Sequence, residues 1–337
     1  MKMIDEQIEP ENSTSILSYQ LRSPLTSIKA ALALLLSGKL DPQTEKGQRL
    51  LRIAAKNADR LVRLSAAIDE EDSSSLEVIS RAEMDRFLLE VDLLSAWENQ
   101  EFEVFYQPIV AVETKTIVGF EALLRWRHPS RGLVSPAEFI PIAEKTFLIH
   151  DLGMWVLKQA CFQLRQWQDK FPRKEPLTVS VNLSTSQLLK PNFVQRVEVI
   201  CQEMEILPET LRFEVTESLA LGDSEEAIAA LQQLKDLGIK IYLDDFGTGY
   251  SCLSRLHQLS VDYLKIDRAF VCQQQWSLIR SIEIIAHTLG MQTITEGVET
   301  VAELEQLQQL GCKQIQGFLF SKPVKGNQAE VLLANGV

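Results

Sequence analysis

From Phe102 onward, short β-branched runs alternate with longer amphipathic stretches, and this alternation constrains the fold more than any single residue. The runs are EVFYQPIV, TIVGFEALLRW, LTVSVNLS, LRFEVTES, IKIYLDDFG, VDYLKID, QTITEGVE and CKQIQGF. Helical patterns such as Asp151–Lys170 and Glu225–Leu237 lie between most of them. Repeated β-then-α units predict a parallel sheet with helices outside it. Eight runs in roughly 240 residues fit a closed (β/α)8 TIM-like barrel of the α/β class. A doubly wound open sheet is the alternative.

A barrel of this kind does its chemistry at the C-terminal ends of its strands, so the residue on which each run closes is informative. The second run ends with Glu121 and Arg125, the third with Asn182 and the fourth with Glu214. The fifth closes on Asp244 and Asp245, the sixth carries Lys265 and Asp267, the seventh ends on Glu296 and the eighth on Gln316. Any one of these could be an exposed loop residue; carboxylates recurring at one face point to a site. Oxygen donors without His or Cys suit hard cations, Mg2+ or Mn2+, better than zinc. Adjacent aspartates can serve two ions about 4 Å apart, the arrangement that activates water and steadies a leaving oxygen in phosphodiester cleavage.

Composition narrows the function classes. The net charge of −12 argues against a free-standing DNA or RNA binder, which needs a basic face. Bound cations would invert that sign locally and draw an anionic substrate to an acidic mouth. The cysteines at 161, 201, 252, 272 and 312 form no CxxC pair and read as free thiols of a reducing compartment. The N-terminal MKMIDEQIEPENS is acidic and polar, unlike a signal peptide, and the apolar stretch Ala30–Leu36 is too short to span a bilayer. A soluble, cytoplasmic protein is expected. His128, His150, His257 and His287 share no spacing and read as bystanders.

The segment YQPIVAVETKTIVGFEALLRWRHPSRGLVSPAEFIPIAE, followed in order by VNLS, FEVTES, DDFGTGYS, LKID, EGVET and QGFLFSKP, resembles the EAL-domain cyclic di-GMP phosphodiesterases of bacterial signal transduction. The resemblance runs from about Phe102 to Val324. It implies that Glu121, Asn182, Glu214 and Asp244 hold one metal ion, and that Asp244, Asp245 and Glu296 hold or orient a second. It implies that Lys265 binds and helps to deprotonate the attacking water, leaving open whether Lys265 or a carboxylate such as Glu296 is the formal base. Arg125 and Gln316 would contact substrate, with Gln107 a weaker candidate. Glu217 would anchor the loop Asp245–Tyr250, which in this family links the site to a dimer interface. Asp267 and Glu299 would support the ligands from behind, although either could simply cap a helix. Gly247 and Gly249 could be plain turn residues. The implied product is linear pGpG. Departures from the family pattern are Thr295 where Ala is common, Phe147 where Gly is common, Cys252 in place of Ser, and a short stretch Phe270–Ser281.

The N-terminal part has a different period. Leu17, Leu21, Ile28, Leu32 and Leu35 form one apolar stripe, and Leu50, Ile53, Leu61, Leu64 and Ile68 a second, with a break at 37–42. This predicts an α-helical hairpin, which needs a partner to cover its stripes; dimerisation into a four-helix bundle supplies one. The strings LSYQLRSPLTSIKAALALLLSGKL and LLRIAAKNADRLVRLSAAID resemble the dimerisation and phosphotransfer (HisKA) domain of histidine kinases. The phosphoacceptor position carries Tyr19, which has no imidazole nitrogen, so the domain reads as degenerate and retained for dimerisation. The expected organisation is a disordered 1–15, a helical hairpin at 16–70, a linker and connecting helix at 71–98 and a barrel at 99–337. The expected function is metal-dependent hydrolysis of cyclic di-GMP by a homodimer regulated through its N-terminal helices. A histidine kinase or response regulator is a possible partner. The alternatives are a non-catalytic cyclic di-GMP receptor and a signalling scaffold.

Overall fold

The computed structural model describes residues 24–25, 28–29, 31–36, 41–44, 47–48, 50–55, 57–58, 61–62, 81–216, 224–247 and 261–336. They belong to two compact units, Met1–Ser95 and Ala96–Val337. Tyr19, Glu217, Gly249, Tyr250, Cys252 and His257 lie outside the described residues.

In the first unit, residues 31–36 and 50–55 are helical. Ala31, Leu50 and Ala54 are buried together, with Leu34, Leu35 and Leu94 packed beside them. The apolar stripe is rotated from the one the spacing suggests, since Ala31 is buried and Leu32 is exposed. Small residues at the contact let two helices approach closely. Helix α1, Arg81–Glu98, carries the chain out of this unit.

The second unit is a closed barrel. Its strands are β1 (Phe102–Ala111), β2 (Thr116–His128), β4 (Thr178–Asn182), β5 (Leu211–Thr216), β6 (Lys240–Phe246), β7 (Tyr263–Ile266), β8 (Gln292–Thr295) and β9 (Gln314–Gln316). The short β3, Gly132–Val134, is a hairpin flap on β2. The pairing runs β1-β9-β8-β7-β6-β5-β4-β2, and β2 returns to β1 to close the ring. All eight sequence runs become barrel strands, so the open-sheet alternative falls away.

One strand departs from the expected β-then-α repeat. β1 is antiparallel to both β2 and β9, while the other neighbours are parallel. Only residues 112–115 join β1 to β2. A parallel return needs a crossover of about a dozen residues or more, so this link can only make a hairpin.

The helices outside include α2 (Pro136–Lys145), α3 (Ile149–Lys170), α4 (Thr185–Leu188), α5 (Phe193–Glu203), α6 (Glu225–Asp236), α7 (Arg268–Cys272), α8 (Trp276–Thr288), α9 (Val301–Leu310) and α10 (Gly326–Asn335). Helices α7 and α8 form despite the short Phe270–Ser281 stretch. Strand alternation sorts the side chains. Val179, Val181, Phe213, Val215, Ile241, Leu243, Leu264, Ile266 and Ile315 join the large core between sheet and helices. The residues between them face the lumen. Ile109, Tyr242, Tyr263 and Ile294 form a separate interior cluster there. Asp244, Lys265 and Glu296 stand two residues beyond Tyr242, Tyr263 and Ile294.

Among the departures from the family pattern, two have local explanations. Phe147 adopts φ +58°, a left-handed conformation that favours glycine. Thr295 is fully buried, and its hydroxyl reaches Cys312 Sγ at 3.6 Å.

Candidate active site

The strand-end residues converge on Lys265. Its ammonium is 1% exposed and lies 2.5 Å from Glu214, 2.7 Å from Glu296, 3.1 Å from Asp244 and 3.6 Å from Glu121. Its hydrogen bond goes to Glu214, and Glu296 and Asp244 lie within ion-pair distance. Glu121, the most distant, draws on amides instead: Asn182 Nδ2 donates to its Oε1 at 2.9 Å and Gln316 Nε2 to its Oε2 at 2.7 Å. Gln316 Nε2 also reaches Gln107 Oε1 at 3.0 Å. In this structure Gln107 and Gln316 therefore brace Glu121 from β1 and β9.

A β-strand turns consecutive side chains to opposite faces, so Asp244 and Asp245 should not serve one site. The β6–β7 register resolves this. Leu243 pairs with Leu264 and Phe246 with Ile266, three steps on β6 against two on β7. The extra residue is a bulge at the two aspartates, and Asp245 takes φ +56°. Asp245 thereby leaves the alternation and feels the charges of Asp244, Asp267 and Lys265. Gly247 follows at φ +94°, where a Cβ would stand 2.7 Å from the Phe270 ring.

The electrostatics follow from crowding. Burial opposes the Glu121 charge, but Lys265, Gln316 and Asn182 outweigh it and hold the carboxyl below its ordinary value. Burial and then the Glu121 charge push Glu214 well above the carboxylate range. Burial pushes Glu296 up to about 7. Burial and the Asp244 charge raise Asp245. For Lys265, burial opposes the charge, yet the surrounding carboxylates raise it well above the ordinary ammonium value. Two of the carboxyls around Lys265, Glu214 and Glu296, thus hold protons more tightly than usual.

Whether this set suits divalent cations can be judged from its donors. Among the described residues, no three His, Cys, Asp or Glu side chains are grouped about one ion-sized point. The carboxylates close on the ammonium instead. The donor chemistry nevertheless fits. Four carboxylates face one ammonium, and Glu214 Oε1 is buried without a hydrogen-bond partner. An acceptor left bare in the interior is costly, and a hard cation would satisfy it.

The other expected site residues are dispersed around this centre. Arg125 is half-buried, donates to the Leu124 carbonyl at 3.0 Å and lies 6.0 Å from the Phe105 ring. It lines a cleft of about 840 Å3 with Glu121, Asn182, Glu214 and Thr216. Asp267 caps α7 by accepting from Ala269 N at 2.8 Å, so the capping alternative describes its contacts. The Glu299 backbone donates to Glu303 in the capping box that starts α9. The cleft also uses residues that carry no recognisable catalytic signature: Ile140, Pro141 and Glu144 of α2, and Ser184–Gln187 around α4. Their signal was the stretch PAEFIPIAE and the capping pattern at Ser184, where Gln187 returns to the Ser184 N–H.

An α/β barrel with an oxygen-donor centre at its strand ends defines the class. The EAL domain family model matches residues 90–323. The chain belongs to the EAL-domain family. The His Kinase A (phospho-acceptor) domain model matches residues 11–74. The chain is 40% identical over 249 residues to the bifunctional diguanylate cyclase/cyclic di-GMP phosphodiesterase MucR of Pseudomonas aeruginosa. That match covers 72% of this chain and 36% of MucR, so the chain spans about a third of that relative's length. The solved structure of the PaMucR phosphodiesterase in complex with c-di-GMP superposes with TM-score 0.68 at 39% identity, covering 72% of this chain and 99% of that one. The EAL enzyme Bd1971, bound to cAMP and cyclic di-GMP, gives TM-score 0.73 at 36% identity, covering 83% and 76%. No helix among the described residues is long and apolar enough to cross a membrane.

Proposed function

We propose that this chain hydrolyses one phosphodiester bond of cyclic di-GMP, releasing linear pGpG, with two divalent cations, Mg2+ or Mn2+, at the barrel mouth. The observation that carries the reading is the convergence of Glu121, Asn182, Glu214, Asp244 and Glu296 on Lys265, with Asp245 turned toward them by a bulge. The cyclic di-GMP complex of the related phosphodiesterase supports the substrate.

Glu121, Asn182, Glu214 and Asp244 would hold one ion, and Asp244, Asp245 and Glu296 the second. When bound, such ions supply Lewis-acid activation of water and neutralise charge building on the phosphodiester. Lys265, held as an ammonium by its carboxylate neighbours, donates to the attacking water and steadies negative charge. A carboxylate beside it, Asp244 or Glu296, accepts the proton. Gln107 and Gln316 fix Glu121, so the ligand enters the reaction already oriented. Arg125, on the wall of the cleft, pairs with a substrate phosphate. Glu217 anchors the loop after β6. The helical hairpin at 16–70 dimerises into a four-helix bundle, and the 71–98 segment transmits its state to the barrel.

Purified protein incubated with cyclic di-GMP and Mg2+ should form pGpG, and Glu121→Ala should form at least about a hundredfold less. Equal product from the two proteins would overturn the assignment. Removing residues 1–75 should abolish dimerisation and change the rate; an unchanged oligomeric state and rate would remove the regulatory role of the hairpin.

A further inference from the structure

The opposite end of the barrel contains a cavity that the catalytic face does not use. It measures about 530 Å3 and is lined by residues at the starts of strands, among them Thr178 on β4, Arg212 on β5, Lys240 on β6 and Tyr263 on β7. Arg173 reaches over it from the segment before β4, and Tyr242 forms part of its wall. Arg212 is 7% exposed. Its Nη1 donates to the carbonyls of Glu209 and Leu211, but its Nε is buried with no hydrogen-bond partner. No carboxylate among the described residues forms an ion pair with it. Glu175 and Glu209 stand at the exposed rim of the cavity.

A buried guanidinium without a counter-anion is costly, and the polar cavity beside it is where one would sit. Arg173, whose Nη1 also donates to the Ile117 carbonyl at 2.6 Å, Arg212 and Lys240 bring three cations to this cavity, and the Tyr242 and Tyr263 hydroxyls add neutral donors. A tetrahedral dianion uses donors from several sides, whereas a carboxylate uses one plane. The volume falls within the ~300–1,000 Å3 range of small-molecule sites and exceeds what phosphate alone fills. The Tyr242 and Tyr263 rings, 4.5 Å apart, supply an apolar surface for the remainder of a ligand. The N-terminal face of such barrels ordinarily serves stability, and a buried Arg held by carbonyls would suffice for that. The absence of any paired carboxylate among the described residues, beside a cavity that gathers two further cations, is what that role leaves unexplained.

We propose that this cavity is a second binding site, for a small phosphate monoester, separate from the catalytic mouth.

The test is calorimetric titration of the full chain, in EDTA and at constant ionic strength, with inorganic phosphate and with phenyl phosphate. Saturable binding is expected, tighter for phenyl phosphate. Arg212→Met should weaken it about tenfold or more, and the exposed Arg173→Gln, which leaves the core intact, by a smaller factor. Arg125→Ala, at the other end of the barrel, should bind phosphate as the wild type does. Wild-type affinity in both Arg212→Met and Arg173→Gln would overturn the proposal, as would loss of binding in Arg125→Ala. Phenyl phosphate binding no tighter than phosphate would overturn the organic part of the ligand.

Discussion

Replacing Lys265 by Met removes the ammonium while nearly preserving side-chain volume, so the effect is electrostatic rather than a cavity. Glu214, Glu296, Asp244 and Glu121 lie within 2.5–3.6 Å of the lost charge. Removing one partner of a buried ion pair costs about 3–5 kcal/mol, because the other charge stays buried and uncompensated. Glu214 and Glu296 already favour their protonated forms, which relieves part of the repulsion, so the whole of that range applies at pH 7 in EDTA. For a domain of this size each kcal/mol lowers the melting temperature by roughly 2–4 °C, so a loss of about 6–20 °C is expected. Thermal unfolding followed by circular dichroism reads it. Saturating Mg2+ should shrink the difference between wild type and variant, since the cation replaces the missing positive charge. A loss under about 1 kcal/mol in EDTA would refute the reasoning. It would mean that the carboxylates are not held together by Lys265.

Further outcomes follow from the same contacts. In EDTA, stability should fall as pH rises from about 4.5 to about 7. The folded state holds a proton on Glu296, raised to about 7, that the unfolded chain releases near the ordinary value. The slope amounts to about 3 kcal/mol over that window, and Glu296→Gln should flatten it in urea titrations; an unchanged slope would contradict the assignment. At pH 8, iodoacetamide followed by peptide mass mapping should modify exposed Cys272 in the native protein. Cys161 and Cys201 should stay unmodified until unfolding, because burial raises both thiols, Cys201 to about 11. Cys161 reacting as fast as Cys272 would refute the packing. Gly247→Ala should destabilise by about 1–3 kcal/mol in denaturant unfolding, since φ is +94° and the Phe270 ring fills the Cβ position. A neutral result would show that β6 does not end in this turn.

Much of the barrel could be read in the chain because each strand carries its lesson twice. Phe213 and Val215 against the helices, with Glu214 between them, give both the alternation and the lumen residue. The direction of β1 was legible in principle, since the link at 112–115 is too short for a helix, but the pattern of β-branched runs alone does not register chain direction. The bulge at Asp244–Asp245 was not legible. Adjacent aspartates suggest a shared site, yet only the left-handed φ of Asp245 makes the sharing possible. The family resemblance implies substrate contacts for Gln107 and Gln316, and their positions beside Glu121 appear only when β1, β2 and β9 are brought together. The same holds for the far cavity. Arg212, Tyr242 and Tyr263 each precede a site residue by two, one lumen layer down, and isolated in sequence none of them draws notice. Leu35 and Leu50 of the expected stripes meet in the helical cluster, while Ala31, the residue that permits the close contact, carries too little hydrophobic weight to stand out in the pattern.

The central claim is that the ring around Lys265 is a divalent-metal centre that cleaves cyclic di-GMP. The most direct measurement is the initial rate of pGpG formation by the full chain as Mg2+ is titrated from EDTA-treated protein. The account predicts no product in EDTA and a rate that rises to saturation with Mg2+. Cyclic di-GMP that binds tightly but is recovered intact at every Mg2+ and Mn2+ concentration would contradict it and leave a receptor in place of an enzyme.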